Sequence, residues 1–160
     1  MLGPIFAEQG WDDSPFNIYP TKGRYMWCDL ERLCEDYKLD FKRPSVFPRN
    51  GLIAARAACT ASDEGWCAES TRAVFRANFA QDRDIAEVDV LADIISDLGR
   101  DPAAIMEASR ASTNKETLRS QTEEAKRRGI FGAPSFTVGD ELFWGNDRLG
   151  TAIAWSLGLR

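Results

Sequence analysis

The sequence predicts an α/β chain that is mostly helical: a long run of helices, then one β-hairpin, then a last helix. Three observations carry this. Apolar residues recur at three- and four-residue steps over most of positions 21–128, no strand-like alternation interrupts them, and alternation enters only at 134–144, around Gly139-Asp140. A two-stranded hairpin is marginal in water by itself, so it must find further strands or packing.

Residues 1–20 read as the end of a strand and a loop, because Gly10-Trp11-Asp12-Asp13-Ser14-Pro15-Phe16-Asn17 is turn chemistry without a period. From 21 to 38, Tyr25, Met26, Leu30, Leu33, Cys34 and Tyr37 mark the apolar stripe of an amphipathic helix. Leu39 to Pro48 is a loop punctuated by Pro44 and Pro48. Asn50 reads as the N-cap of a helix through Ala61, in which Ala54, Ala55, Ala57, Ala58 and Ala61 permit close packing. The next helix, 64–81, is expected to bury Trp66, Val74, Phe75 and Phe79. Another runs from Val88 to Leu98 and ends at Gly99. Asp101-Pro102 sets a cap and a first-turn proline ahead of a short helix to Ser109. Asn114 to Arg128 is a polar helix, and its Lys126-Arg127-Arg128 end answers the helix dipole. Asn146 or Asp147 caps a final helix through Leu157, with Leu149, Ile153, Trp155 and Leu157 as apolar positions.

A chain of 160 residues with 44% hydrophobic composition has the size and apolar content of one globular domain. Its 20 basic and 25 acidic residues give a net charge of −5, which argues against a nucleic-acid partner. No apolar run approaches the roughly 18 residues a spanning helix needs, and Met1-Leu2-Gly3-Pro4 lacks the basic start of a signal peptide. The expectation is a cytoplasmic protein without a membrane segment. Histidine is absent, so Ser-His-Asp or Cys-His nucleophile pairs and histidine-ligated metals are excluded within this sequence. Cys28, Cys34, Cys59 and Cys67 are separated by five, twenty-four and seven residues. That leaves no Cys-x-x-Cys pair and no zinc spacing, and the four read as small buried hydrophobes in a reducing compartment.

Gly129-Ile130-Phe131-Gly132-Ala133-Pro134-Ser135-Phe136, followed by Glu141-Leu142-Phe143-Trp144-Gly145-Asn146-Asp147-Arg148-Leu149, resembles the carboxy-terminal signature of the 2-hydroxychromene-2-carboxylate isomerases. These are relatives of the kappa-class glutathione transferases and the bacterial periplasmic disulfide oxidoreductases. Pro20-Thr21-Lys22-Gly23-Arg24-Tyr25-Met26, Phe47-Pro48-Arg49-Asn50 and the stretch from Phe79 through Arg83-Asp84-Ile85 also read like that family, so the resemblance covers nearly the whole chain. It implies a thioredoxin-like fold with a large all-α insertion. Residues 1–20 would be a remnant of the thioredoxin-like domain, 21–128 the insertion, and 129–160 the closing hairpin and helix. The family opens with a strand and a Ser-Pro-Tyr-type turn that presents a catalytic serine. Nothing ahead of Leu2-Gly3-Pro4-Ile5-Phe6 matches it, so the expectation is a chain truncated at its amino-terminal βαβ part, with no catalytic residue assigned. Ser14-Pro15-Phe16 is set aside for that role, since no strand precedes it and no helix is expected after it.

The resemblance implies glutathione as cofactor and a small aromatic substrate, with the oligomeric state open, a homodimer among the options. The backbone of Ala133, beside a Pro134 whose bond could be cis or trans, would pair with the extended tripeptide as an added strand does. Trp144, Gly145, Asn146 and Asp147 would form the pocket for its γ-glutamyl end, Asp147 taking the ammonium, and Asn146 with the helix-start N–H groups taking the carboxylate. Asn17 resembles a further glutathione contact. Read without the family, Asn146 and Asp147 are helix caps and Asn17 a turn residue. Arg49 and Asn50 would face the aromatic substrate. The implied function is a glutathione-dependent isomerase. The alternatives are a kappa-like glutathione transferase, a thiol–disulfide oxidoreductase relative, and a non-catalytic truncated binding module.

Overall fold

The computed structural model describes residues 1–159. They form two compact units: one from Met1–Asp12 together with residues from Arg119 onward, the other Asp13–Leu118.

The larger unit is helical. Its elements are α2 (Pro15–Ile18), α3 (Pro20–Asp36), α4 (Leu52–Asp63), α5 (Cys67–Phe79), α6 (Val88–Asp97), α7 (Pro102–Arg110) and the first turns of α8 (Ser112–Arg127). Helix α4 packs on α5 and α7, and α6 packs on the same two. The small residues of α4 decide this arrangement: Ala54, Ala57 and Ala61 are buried and let neighbouring helices approach closely. Trp66, Ala77, Leu91, Ile94, Ile95, Ile105 and Met106 complete the core. Burying each of the larger aliphatics contributes roughly 1.5–3 kcal/mol. The cap at α7 is as the sequence indicates, with Asp101 accepting from the Ala103 N–H at 3.0 Å. At α4 the capping carboxamide is one residue further out: Asn50 Oδ1 accepts from Leu52 N at 3.0 Å while Gly51 occupies the cap position.

Two apolar stripes differ from the sequence reading. On α5, Phe75 is 60% exposed, and the buried side runs through Ser70, Ala77 and Asn78. On α3, Tyr25 and Tyr37 are exposed, whereas Gly23 and Trp27 are buried. Trp27 is covered because the 39–50 loop wraps it. Phe47 meets its ring edge-on with centroids 4.9 Å apart, and the Arg43 guanidinium lies 4.8 Å over it. Gly23 faces α2 so closely that a Cβ there would lie 2.1 Å from the Phe16 carbonyl oxygen.

The smaller unit begins with a correction. Residues expected as a strand end form helix α1 (Leu2–Glu8). Gly3-Pro4 looks like a breaker, but a first-turn proline forfeits an N–H that has no intrahelical partner anyway. Ile5 is buried, and Phe6 packs on Trp11 at 5.6 Å. Glu8 pairs with Lys126 Nζ on α8 at 2.6 Å, and Glu123 joins at 2.9 Å. These two carboxylates, hydrogen-bonded to the ammonium, raise the Lys126 pKa. The hairpin is β1 (Ser135–Val138) antiparallel to β2 (Glu141–Trp144), with Ser135 opposite Trp144. A 3₁₀ turn, Asn146–Arg148, then leads into α9 (Leu149–Ser156). Trp155 of α9 stands edge-on to Phe143 at 5.9 Å. Leu149, Ile153 and Leu157 are apolar as expected but exposed, and Ala152 is the buried position.

No disulfide joins the four cysteines among the described residues. Only Cys59 is buried, while Cys28, expected inside, is exposed on α3. No helix among the described residues is long and apolar enough to cross a membrane.

Candidate functional site

Six of the seven expected site residues come together at one end of the hairpin. The Ala133–Pro134 peptide is cis. Gly145 N donates to the Pro134 carbonyl at 3.0 Å, which holds the segment before β1 against the segment after β2. Ser135 Oγ donates to Gly132 O at 2.8 Å and tightens the same corner. Ala133 is exposed, and its backbone makes no hydrogen bond among the described residues. Trp144 lies across this corner, 48% exposed, with its ring 5.0 Å from that of Phe131.

Gly145 determines how the chain leaves the hairpin. Its φ of 115° is a conformation side chains rarely adopt, and a Cβ there would stand 2.5 Å from Asp147 Oδ1. The turn therefore needs glycine on two grounds, backbone and space. Contrary to the capping expectation, neither Asn146 nor Asp147 is the N-cap. They lie inside the 3₁₀ turn, whose cap is Gly145, and α9 is capped by Arg148, neither with a side-chain capping bond. The physical reason is that Gly145 has already reversed the chain, so the N–H groups after it begin the helix directly. The Asp147 side chain is 73% exposed, with Arg148 at 3.4 Å as its ion-pair partner.

Asn17 belongs to the larger unit and is described there by itself. Its Nδ2 donates to both Asp13 carboxylate oxygens, at 3.1 and 3.0 Å, and to the Phe47 carbonyl at 2.9 Å. It thus ties the start of α2 to the loop that wraps Trp27. Asn17, Trp27, Arg43, Pro44, Ser45 and Phe47 line a cleft of about 480 Å³. Ser14, just before, is buried and caps α2 by accepting from Phe16 N at 3.3 Å. A helix does follow this serine, unlike the expectation, but it is four residues long and the hydroxyl is occupied in capping it.

Arg49 does not face an open cleft. Its side chain is 3% exposed. Nη1 donates to Asn78 Oδ1 at 2.9 Å and Arg83 O at 3.0 Å, while Nη2 donates to Ser45 Oγ and Asp82 O, both at 3.2 Å, and to Asp82 Oδ1. The guanidinium clamps the 44–50 loop to the 78–83 segment, and so braces one wall of the Asn17 cleft. Asp82 completes the clamp by accepting from Ser45 N at 2.8 Å. That backbone bond, followed by the Arg49 guanidinium, lowers the Asp82 pKa well below its ordinary 3.8.

A depressed carboxylate pKa adds stability that is fully present above the ordinary value and is lost as pH falls through the folded value. The thermal midpoint of the wild type is therefore expected to exceed that of Asp82→Asn by a constant margin from pH 7 to 5, and the margin to shrink below about pH 4. Asparagine tolerates the left-handed backbone at this position, where φ is 56°, so the comparison isolates the charge. A margin unchanged down to pH 3 would show that the carboxylate charge contributes nothing.

Comparison with known proteins identifies the family of the fold. The DSBA-like thioredoxin domain matches residues 4–152. The chain belongs to the DSBA-like thioredoxin domain family. Its secondary structure is the helix-rich form of that fold. This DSBA-like chain is 30% identical over 129 residues to the 2-hydroxychromene-2-carboxylate isomerase of Sphingobium xenophagum, covering 80% of this chain and 65% of that protein. It is 32% identical over 129 residues to the 2-hydroxychromene-2-carboxylate isomerase of Pseudomonas sp. (strain C18), covering 78% and 58%. The chain thus spans a little under two thirds of the length of these curated relatives. A solved structure of selenomethionine 2-hydroxychromene-2-carboxylate isomerase superposes with a TM-score of 0.85 at 24% identity, over 99% of this chain and 76% of the other, and shows the shared fold.

Sequence reasoning missed the Arg49–Asp82 clamp and the cleft around Asn17. Asn17 and Phe47 are 30 positions apart, and Arg49 and Asp82 are 33 apart. The one available signal was Phe47-Pro48-Arg49-Asn50, whose Phe47–Pro48 peptide is also cis.

Proposed function

We propose that this DSBA-like chain serves a glutathione-dependent isomerase whose substrate is a small aromatic compound of the 2-hydroxychromene-2-carboxylate type. The observation that carries the reading is the corner where Gly145 N meets the Pro134 carbonyl. It joins the segment carrying an exposed Ala133 backbone, which has no hydrogen-bond partner among the described residues, to the turn carrying the exposed carboxylate of Asp147. An extended tripeptide needs this pair of features: a short backbone edge for its main chain and an anion for its terminal ammonium. The isomerase names of the two curated relatives support the reaction class. When bound, glutathione supplies a thiolate whose reversible addition to a substrate carbon turns a double bond into a rotatable single bond, and its departure restores it. The chain's own residues bind and orient. Ala133 N–H and C=O fix the cysteinyl main chain, Asp147 holds the γ-glutamyl ammonium, and Trp144 with Phe131 walls off one side.

Calorimetric titration of the chain with reduced glutathione tests this. Binding is expected, and Asp147→Asn should weaken it about tenfold, the size of one lost charge-assisted hydrogen bond. The deamino analogue glutaryl-cysteinyl-glycine, which lacks the free ammonium, should show the same loss on wild type and no further loss on the variant. Absence of binding, or a variant that binds as the wild type does, would sink the proposal.

A further inference from the structure

The helical unit holds a second cleft, of about 210 Å³, that shares no residue with the one around Asn17. Asn50, Leu52, Ile53, Arg56, Ala86, Ser109 and Arg110 line it; the Ser109 hydroxyl is spent on the Met106 carbonyl, and no aspartate or glutamate is among the lining residues.

Arg56 is the anomaly. It lies in the second turn of α4 and makes no side-chain hydrogen bond or ion pair among the described residues, and its Nε is buried without an acceptor. Buried donors in native folds are nearly always paired, and an arginine fork is built to meet an anion with two parallel bonds. Arg110 stands in the last turn of α7, exposed, and it too has no carboxylate partner among the described residues. Its place at a helix C-terminus accounts for a cation there, but the dipole argument does not reach Arg56. Asn50 commits its Oδ1 to Leu52 N, which leaves its NH₂ as a donor at the rim. Two guanidinium groups and an amide donor line the same cavity in a chain of net charge −5.

The walls decide the kind of anion. Leu52, Ile53 and Ala86 are apolar, which disfavours a fully hydrated phosphate and favours a carboxylate on an apolar body. The size limits that body. The volume corresponds to about seven water molecules and falls below the roughly 300 Å³ at which drug-sized sites begin. We propose that this cleft binds a small monocarboxylate carried on a compact apolar body, its carboxylate held by Arg56 and Arg110. The cleft shares no residue with the corner proposed for glutathione, although Asn50 is also a residue that the resemblance sets against the aromatic substrate.

The test is a titration of the full chain with sodium benzoate at constant ionic strength, following the arginine Nε–H resonances by NMR, with benzamide and sodium phosphate as parallel probes. Benzoate should shift the Arg56 Nε–H resonance saturably. Benzamide and phosphate should each bind about tenfold more weakly, Arg56→Gln should weaken benzoate about tenfold, and Arg110→Gln roughly threefold. Arg56→Lys should fall between wild type and Arg56→Gln, since it keeps the charge and loses the fork. A linear, non-saturating shift, benzamide as tight as benzoate, or a glutamine pair that binds as the wild type does overturns the proposal. Phosphate as tight as benzoate overturns the apolar-body requirement. Arg110 is exposed, so its variant keeps the test decisive even where Arg56→Gln fails to fold.

Discussion

Replacing buried Arg49 with methionine is expected to destabilise the protein by about 3 kcal/mol, the lower end of what removing one partner of a buried charge cluster costs. In a chain of this size that is a fall of roughly 6–12 °C in thermal midpoint. Methionine keeps the apolar stem of arginine as far as the position of Nε, so packing of the stem is largely retained. It arises because Asn78 Oδ1 and the carbonyls of Asp82 and Arg83 lose their donor while Asp82 keeps its charge. Arg49→Lys retains the charge, but a single ammonium cannot serve acceptors spread over two segments of chain. It should fall between the two. Circular-dichroism melts of the three proteins give the order directly. Equal midpoints for wild type and Arg49→Met would mean that the clamp adds nothing net, as some buried ion pairs do.

The second large effect is at Gly23. Alanine is the better helix former by about 1 kcal/mol, and on propensity alone Gly23→Ala inside the 17-residue α3 would stabilise. Geometry opposes this. The new Cβ would stand 2.1 Å from the backbone oxygen of Phe16, and a backbone atom cannot swing aside as a side-chain tip can. Overpacking costs about 1–3 kcal/mol, and a backbone clash this close lies in the upper half of that range, so after the propensity gain the expected net result is destabilisation of about 1–2 kcal/mol. The shift should also reach Asn17, one residue beyond Phe16. Its bond to the Phe47 carbonyl should loosen, and the amide resonances of residues 14–18 and 44–48 should move together. A Gly23→Ala protein that melts higher than wild type with those resonances unchanged would refute the argument.

What the sequence made legible, and what it did not, follows from how far apart the deciding residues lie. Helices α4, α6 and α7 are local facts: small or apolar residues at helical spacing, Gly99 after one end, Asp101-Pro102 before another start. The corner at 129–148 was legible for a related reason, because Gly145 and Pro134 constrain their own backbone. Helix α1 was missed since Gly3-Pro4 carries turn chemistry in most contexts, and only its place in a first turn makes the proline harmless. Tyr25 and Phe75 were misjudged because aromatics on both sides of a helix leave two candidate faces. Trp27 and Phe47 decide between them on α3, and no window of local sequence contains both. The same holds at the sites. Arg49 is built in by acceptors about thirty positions downstream, and Arg56 and Arg110 come from separate helices.

Trp144 carries a practical consequence. Of the tryptophans, Trp27 and Trp66 are sealed in the helical unit, whereas Trp144 is half in solvent and lies over the corner formed by Pro134 and Gly145. Its indole should therefore emit at longer wavelength than those two and be open to collisional quenching by acrylamide. Covering that corner would shield it. Trp11 and Trp155 are half-buried as well, so the share of the quenching that Trp144→Phe removes is the native optical report of occupancy beside the candidate site, without a label.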